Sequence, residues 1–459
     1  MSDLPAGWVW TNLAQVCTSI TDGDHQPPPQ APEGIPFLVI GNIRNQVLDF
    51  TNCRYVSTHY FESLSLIRRP KKSDVLYTLV GSYGISVLVR DDRPFCVQRH
   101  IGIVRPSQEI SASFLALALS TRAVLNQATK FATGTAQLTV PLSGLRRISI
   151  PLPPRPEQDR IVAAVEEQFS RLDAGVAALE SVRRNLRRMR AAVLHAAVTG
   201  QLTSSHATAN RASLDLPNWR HIVVGDIAEV SGGITKNPKR RPNNNPVPFL
   251  RVANVQRDCL TLDDVHNIEV FDGELERMRL RPGDLLVVEG NGSPDQIGRS
   301  ALWHGEIDPC VHQNHLIRVR PGDSVLPEYL NLYWNAPTSM VTIQAAASST
   351  SGLHTLSTGK VRSIPVALPP VETQMWIVDE VKRQLSFVDL LEAELHATAI
   401  RSQSLRSSIL AAAFSGKLTR EILADEPTGA LLERIAAERA TSNDHKPAGG
   451  RTPRAKVTA

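Results

Sequence analysis

Two stretches of the chain carry apolar residues at steps of three and four. In the first, Ile161, Val165, Phe169, Leu172, Val176, Leu179, Val182, Leu186, Met189 and Val193 recur in turn. In the second, Ile377, Val381, Leu385, Val388, Leu391, Leu395, Leu405 and Ile409 follow the same rule, with a weaker middle. That spacing predicts two long amphipathic helices with heptad-like, coiled-coil seams. Ile161, Val165, Phe169, Leu172, Leu186, Ile377, Val381, Leu385 and Val388 are the positions expected to pair the helices or dock a partner. Pro153–Pro154 and Pro369–Pro370 precede the helices, and Gly200 and Gly416 follow them, as helix starts and stops require. Some 40 residues at about 1.5 Å each make a rod roughly 60 Å long.

The remaining pattern is different. Short β-rich runs such as "PFLVIGNI", "DVLYTLVG", "FLRVANV" and "GDLLVVEG" alternate with turn residues in 1–150 and 215–365. They predict a compact sheet or small barrel. One helix is expected in each region, over 112–130 and 327–346. The fold class is α+β, with two globular α/β domains.

The chain repeats itself. At a constant shift of 216, residues 148–203 align with 364–419 without a gap, and 20 of 56 positions are identical. "LPPRPEQDRIV" at Leu152 answers "LPPVETQMWIV" at Leu368, and "AAVTGQLT" answers "AAFSGKLT". The regions before them match more weakly: "LPAGWVW" with "LPNWRHI", "FLVIGNI" with "FLRVANV", and "CVQRHIGIVRP" with "CVHQNHLIRVRP". A period of about one domain points to tandem duplication rather than a solenoid. The expected organisation is a domain at 1–150, a helix segment at 151–203, a linker at 204–214, a second domain at 215–365, a second helix segment at 366–420, and a tail with a short helix at 421–459.

Charge then orients the helices. Residues 157–180 hold six acidic and two basic side chains, whereas 181–203 hold none acidic and five basic. The second copy has the same polarity, six and two over 372–394, then none and three over 395–419. Antiparallel pairing sets acidic halves against basic halves and also suits each helix dipole. The architecture expected is pseudo-two-fold, with two domains separated by two long antiparallel coiled-coil helices.

Composition adds limits. At 459 residues and 42% hydrophobic content the chain is long enough for several cores. No apolar run reaches the ~18–20 residues of a membrane span, and a cytoplasmic protein is expected. Cys17, Cys53, Cys96, Cys259 and Cys310 form no CxxC pair, which suits a reducing compartment. Cys96 and Cys310, matched beside His100 and His315, are read as strand-core residues rather than metal ligands. The net charge of +5 leaves room for an anionic partner without requiring one.

Polar, glycine-rich loops carry the binding chemistry. In the first domain "VGSYG" and "FATGTAQ" present Ser82, Tyr83, Thr133, Thr135 and Gln137, and "IGNIR" presents Asn42 and Arg44. In the second, "GGITKNPKRRPNNN" presents Thr235, Lys236, Lys239, Arg240 and Arg241. "EGNGSPDQIGR" presents Asn291, Ser293, Gln296 and Arg299, "SSTSGLHT" presents Ser349 and Thr350, and "RVANV" presents Asn254. Such side chains read base edges and contact phosphates. For any one of them an ordinary solvated turn is the commoner explanation. The basic cluster at 236–241 is the stronger phosphate candidate, because folding does not need it.

Catalytic signatures fail. "GLHTLSTGKV" has the wrong spacing for a phosphate-binding loop, and "DLLVVEGN" has Asn291 where a nuclease motif needs lysine. No metal-ligand spacing such as HExxH occurs. The sequence points to a non-catalytic chain with no cofactor and no metal.

The two "LPP…Q…IV" segments, the helix after each, the two "G-[QK]-L-T" endings and the "LP-x-W" openings resemble the specificity subunit of type I restriction-modification systems. The resemblance covers nearly the whole chain, to about Arg420. Thr373 departs from it, standing where the family usually has glutamate. The resemblance implies two target-recognition domains on double-stranded DNA, each reading half of an asymmetric bipartite site. It implies helices that set the gap and dock two methyltransferase subunits, joined by restriction ATPase/endonuclease subunits. Two other readings stay open: a coiled-coil scaffold binding only proteins, and an orphan specificity subunit without partners.

Overall fold

The computed structural model describes residues 4–25, 28–44, 46–135, 137–204, 219–290, 296–347, 355–419 and 426–444. It divides into two units, the first made of Met1–Ala178 with Thr398–Ala459, the second of Leu179–Ala397.

Each unit is built on the same topology. In the first, strands Cys17–Asp22, Ile101–Pro106, Val75–Thr78 and Ser86–Leu88 form an antiparallel sheet in that order. In the second, Ala228–Gly232, Leu316–Pro321, Leu285–Val288 and Ser300–Leu302 do the same. The strands Val75–Thr78 and Leu285–Val288 are buried along their whole length. Side chains alternate along a strand, so they feed two cores. Val75 and Tyr77 face one cluster of the first unit and Leu76 the other. Leu285 and Val287 face one cluster of the second unit, Leu286 and Val288 the other. A three-stranded sheet with one parallel pair stands beside each: Phe37 pairs with Cys96 and Leu38 with Val97, and Phe249 pairs with Val311 and Leu250 with His312.

The register corrects one sequence reading. Cys96 and Cys310 are matched in sequence and both buried, but the strand pairing sets Val311, not Cys310, opposite the phenylalanine. The second copy has one more residue here, so Gln98 corresponds to Gln313 and His100 to His315.

The helices expected over 112–130 and 327–346 are each two helices. Ala112–Leu119 stops at Ser120, and Arg122–Phe131 restarts where the Thr121 hydroxyl accepts from Val124 N–H. Pro327–Asn335 gives way at extended Ala336, and Pro337 opens Pro337–Ala347. A capping threonine and a proline after an extended residue are each enough to reset a helix.

The long helices run over Arg155–Val198 and Val371–Ala413, and Gly200 and Gly416 end them at φ +79° and +71°. Ile161 and Val165, with Phe169 and Leu172 at the margin, enter the first unit's core together with Ile409, Leu410 and Ala413. Leu186 enters the second unit's core with Ile377, Val381, Leu385 and Val388. The expected seam is not covered throughout, however. Val176, Val182, Met189 and Leu405 are 39–48% exposed. Periodicity marks an apolar face but not whether a neighbour lies over it. Within the first unit Arg406 pairs with Asp173 and lies 4.6 Å above the Phe169 ring. Within the second, Arg190 pairs with Asp389 and with Glu392 at 3.3 Å. Asp173 and Asp389, like Arg190 and Arg406, are matched positions of the repeat.

A buried glutamine ties domain to helix in each unit. Gln158 Oε1 accepts from Ser111 N–H at 2.9 Å, and its Nε2 donates to Pro153 O at 3.1 Å. Gln374 Oε1 accepts from Leu326 N–H at 2.8 Å, while Nε2 donates to Pro369 O and Ser324 O. Both are fully buried. A bidentate ion pair lies at the same end of each sheet: Arg105 on buried Asp74 at 2.8 Å, and Arg320 on buried Asp284 at 2.6 and 2.7 Å. Only the first unit has the glutamate. Glu157 accepts from the Trp8 indole at 3.0 Å and from the Thr419 hydroxyl at 3.2 Å, and Thr373 has its place in the second. The helix Thr428–Asp444 closes the first unit, burying Leu431 and Ile435 and pairing Arg434 with Glu109.

Magnitudes separate these contacts. Gln158→Leu orphans the Ser111 N–H and the Pro153 carbonyl in the interior and should destabilise the first unit by about 1–3 kcal/mol. Arg406→Ala breaks a half-exposed ion pair and should cost under about 1 kcal/mol. Urea midpoints of the two variants test the ranking, and a smaller loss for Gln158→Leu contradicts the clamp.

Candidate nucleic-acid interface

The antiparallel register decides which loops meet. Ile101 opposes Thr78 and Gly102 opposes Asp22. The segments leaving Asp22 and Thr78 and the one entering Ile101 therefore lie at one end of the first sheet. The glutamine clamp lies past Pro106, at the other end. In the second unit Val288 opposes Leu316 and Gly232 opposes Ile317, giving the same arrangement. Each sheet thus has a helix end and a loop end.

The described parts of the loops at 80–84 and 131–137, and of those at 289–299 and 348–355, lie at the loop end. In the first unit Gly81 N–H donates to Leu138 O at 3.1 Å, Val140 N–H to Leu79 O at 2.8 Å, and Thr133 and Thr139 exchange backbone bonds. "VGSYG" and "FATGTAQ" thereby become one surface. Ser82, Thr133, Thr135 and Gln137 are exposed on it, and the Tyr83 hydroxyl donates to the Thr129 hydroxyl at 3.1 Å. In the second unit Gly290 bridges to Thr355, and Leu356 N–H donates to Glu289 O at 2.6 Å. Gln296 is exposed beside them. Asn291, Ser293, Ser349 and Thr350 lie outside the described residues.

Close packing at this end needs glycine at two matched positions. A Cβ on Gly23 would stand 1.9 Å from Val97 O, and one on Gly233 would stand 2.2 Å from His312 O.

The basic segment divides in two. Thr235, Lys236, Lys239 and Arg241 are exposed, with no ion pair among the described residues. Arg240 instead grips Glu274 through two hydrogen bonds of 2.7 and 2.8 Å and lies 4.7 Å above the Phe271 ring. Those bonds hold the Glu274 carboxyl down at about 2. Next to it, Glu269 accepts from the backbone N–H groups of Asn243, Asn244 and Asn245 at 2.7–3.1 Å, which lowers its carboxyl pKa. A carboxylate therefore fills the anion-binding bend of the asparagine run.

Three other candidates are occupied by the fold. Asn42 and Asn254 are buried in matched 3-10 turns, where each amide oxygen accepts the backbone N–H three residues back, from Val39 and Arg251. Their Nδ2 groups donate to the carbonyls of Asp49 and Asn52, and of Thr261 and Asp264. Both amides are thus engaged at oxygen and nitrogen by backbone groups. Arg299 is buried too, donating to Val252 O and Gln296 Oε1. Arg44 is exposed and donates through Nε to Gly41 O at 3.0 Å.

Sequence reasoning passed over a cleft beside each three-stranded sheet. The first, of ≈ 260 Å³, is lined by His25, Gln30, Phe37, Arg54, Tyr55 and Gln98 among others. The second, of ≈ 510 Å³, is lined by Lys236, Arg241, Phe249, His266 and Asn267 among others. Arg54 pairs opposite Phe37 as His266 does opposite Phe249, so the clefts occupy one position of the shared fold. In the first unit the signal available in the sequence was the polar Gln98-Arg99 pair after "CV"; the second cleft draws instead on the basic segment at 236–241 and on His266 and Asn267. Among the described residues no cluster could hold a metal ion and no helix is long and apolar enough to cross a membrane.

The chain is similar to known proteins over nearly its whole length. A protein-family model described as the type I restriction modification DNA specificity domain matches residues 5–180. The chain is 27% identical to the type I restriction enzyme EcoKI specificity subunit of Escherichia coli K12, over 96% of this chain and 98% of that one. It is 26% identical to the StySPI specificity subunit of Salmonella potsdam over the same shares. A solved structure described as the basis of complex assembly and conformational transition of the type I R-M system superposes with a TM-score of 0.68 at 20% identity, covering 91% of this chain and all of that one.

Buried His312 gives the second unit a pH dependence. Burial, then the Arg318 guanidinium, pushes its imidazole pKa down to about 4 from 6.5. A histidine neutral in the fold and chargeable when unfolded stabilises fully above pH 6.5 and loses that stability as pH falls toward 4. His312→Gln should flatten the pH 4–6.5 dependence of the unfolding midpoint, and an unchanged slope would refute the assignment.

Proposed function

We propose that this chain is a specificity subunit of a type I restriction-modification system, which recognises DNA sequence, and that each unit reads one half of an asymmetric bipartite site. The observation that carries the proposal is the loop end found twice, on one topology, with different side chains. Identical scaffolds deliver unlike polar surfaces, which is what an asymmetric site needs. The domain boundaries near 150 and 365 then mark where recognition gives way to spacing.

The long helices form, on this proposal, an antiparallel coiled coil with pseudo-two-fold symmetry. The repeated pairs Asp173–Arg406 and Asp389–Arg190 support it, since in each an acidic-half aspartate meets a basic-half arginine. The helices set the half-site distance and dock two methyltransferase subunits, with restriction ATPase/endonuclease subunits joining that core. The exposed apolar residues along them, Phe387 and Leu390 included, are available to such partners. The chain itself supplies recognition and no catalytic step.

On the loop end, Ser82, Tyr83, Thr133, Thr135 and Gln137 face the duplex in the first unit. Lys236, Lys239 and Arg241 hold phosphates in the second. A fully uncommitted lysine releases about one counterion per phosphate it neutralises. Replacing all three by alanine should weaken binding on every sequence and reduce the slope of log K against log salt by roughly 3. Fluorescence anisotropy across salt concentrations checks this, and an unchanged slope removes the three from the interface.

The half-site model has its own test. Exchanging 215–365 for the matching region of a relative, in complex with the methyltransferase subunits, should change one half of the methylated motif and leave the other. A change in both halves, read by methylome sequencing, rejects it.

A further inference from the structure

The turn between the three-stranded sheet and the central strand is the same in both units, and its corner residue differs. In the first unit Gln98 N–H donates to Leu38 O at 3.0 Å, and Ile101 N–H donates back to Gln98 O at 3.0 Å. In the second, Gln313 N–H donates to Leu250 O at 2.9 Å, and Leu316 N–H to Gln313 O at 2.8 Å. Both are four-residue β-turns, Gln98-Arg99-His100-Ile101 and Gln313-Asn314-His315-Leu316. The carbonyl of the histidine then accepts from the next strand, His100 O from Leu79 N–H at 2.9 Å and His315 O from Glu289 N–H at 3.0 Å. Leu79 and Glu289 lead straight into the polar loops, so each turn continues the surface already assigned to DNA.

The side chains at the corner are available. Arg99 is exposed, and among the described residues only its Nε makes a hydrogen bond, donating to His100 Nε2 at 3.2 Å. Burial and then Arg99 itself hold the His100 imidazole pKa below its usual value, so the ring accepts that bond in its neutral form. Neither Nη group of the Arg99 guanidinium has a hydrogen-bond partner among the described residues. Asn314 is half-buried, and its side-chain amide makes no hydrogen bond among the described residues. A turn whose backbone is pinned on both sides presents its corner side chain in a fixed direction, which base readout requires.

We propose that Arg99 and Asn314 are matched specificity-determining residues, Arg99 reading a guanine and Asn314 an adenine in the major groove. Arginine's forked donors fit guanine O6 and N7, and a carboxamide fits adenine N6 and N7, so one backbone position delivers different bases to the two half-sites. The proposal rests on the two-unit reading of DNA and goes further by naming the residue at which the halves diverge. His25, Arg54 and Tyr55 line one cleft with Arg99 and provide neighbouring contacts around it.

The test exchanges the corners. The full chain, in complex with methyltransferase subunits, is used to select from a randomised duplex library as wild type, R99N and N314R. R99N should change one guanine to adenine in one half-site, and N314R one adenine to guanine in the other, each shifting preference roughly 5- to 150-fold. R99K, which keeps the charge but not the fork, should bind with less discrimination at that position alone. A wild type that selects a bipartite motif which R99N and N314R leave unchanged overturns this proposal and leaves the two-unit reading standing. A wild type that selects no bipartite motif overturns both. Melting temperatures of the variants, expected to stay near wild type because Arg99 is exposed and the half-buried Asn314 amide has no hydrogen bond to lose among the described residues, separate lost reading from lost folding.

Discussion

Everything else in each unit hangs on one buried side-chain amide. A glutamine has an acceptor and two donors, and Gln158 and Gln374 use both kinds at once. The oxygen holds the backbone where the central strand has just ended, and the nitrogen holds the Leu-Pro-Pro bend from which the long helix starts. Sheet and helix are thus fixed by the same planar group, in an interior where an unpaired polar atom is costly. The segment "LPPRPEQDRIV" occurs twice because the joint occurs twice. A glutamate could not replace the amide without losing its donors, and an apolar residue could not bond either side.

That joint gives each sheet a direction. Constraint collects at the helix end, in the clamp and in the paired Arg105–Asp74 and Arg320–Asp284. The loop end carries polar side chains that differ between the copies, on strands of shared register. Recognition domains face a conflict between holding a rigid frame and varying their contacts. On the proposed reading the two demands are met at opposite ends of four short strands, so a change of corner residue need not disturb the frame.

The legible part of the sequence was whatever repeats. The long helices, their charge polarity, the Gly200 and Gly416 stops and the loop clusters at 80–84 and 131–137 follow from spacing and composition. Local rules also misled. Asn42 and Asn254 have the chemistry of base readers, yet sit where a 3-10 turn needs its own backbone capped, and only burial reveals this. Arg240 is one of four cations in six residues, but Glu274 claims it from a distance of 34 positions, beyond any local pattern. The helix breaks at Thr121 and Ala336 were visible as a cap and a proline, overridden by an otherwise continuous apolar run. The corner residues Arg99 and Asn314 were hidden by a single inserted residue that mis-registers the two copies until strand pairing aligns them.

The first unit is discontinuous along the chain, whereas the second is not. Its core contains Ile409, Leu410 and Ala413, and then Leu431 and Ile435 of the last described helix, alongside residues from the first third of the sequence. Synthesis runs from the N-terminus at about 5–20 residues per second, so the early part of that core waits roughly 10–40 s for its other half while 179–397 are made. The second unit, contiguous, can close while translation continues. A nascent chain therefore holds one finished domain and one with an apolar flank still open, and the half-built flank is where a chaperone would bind or a neighbouring chain would trespass.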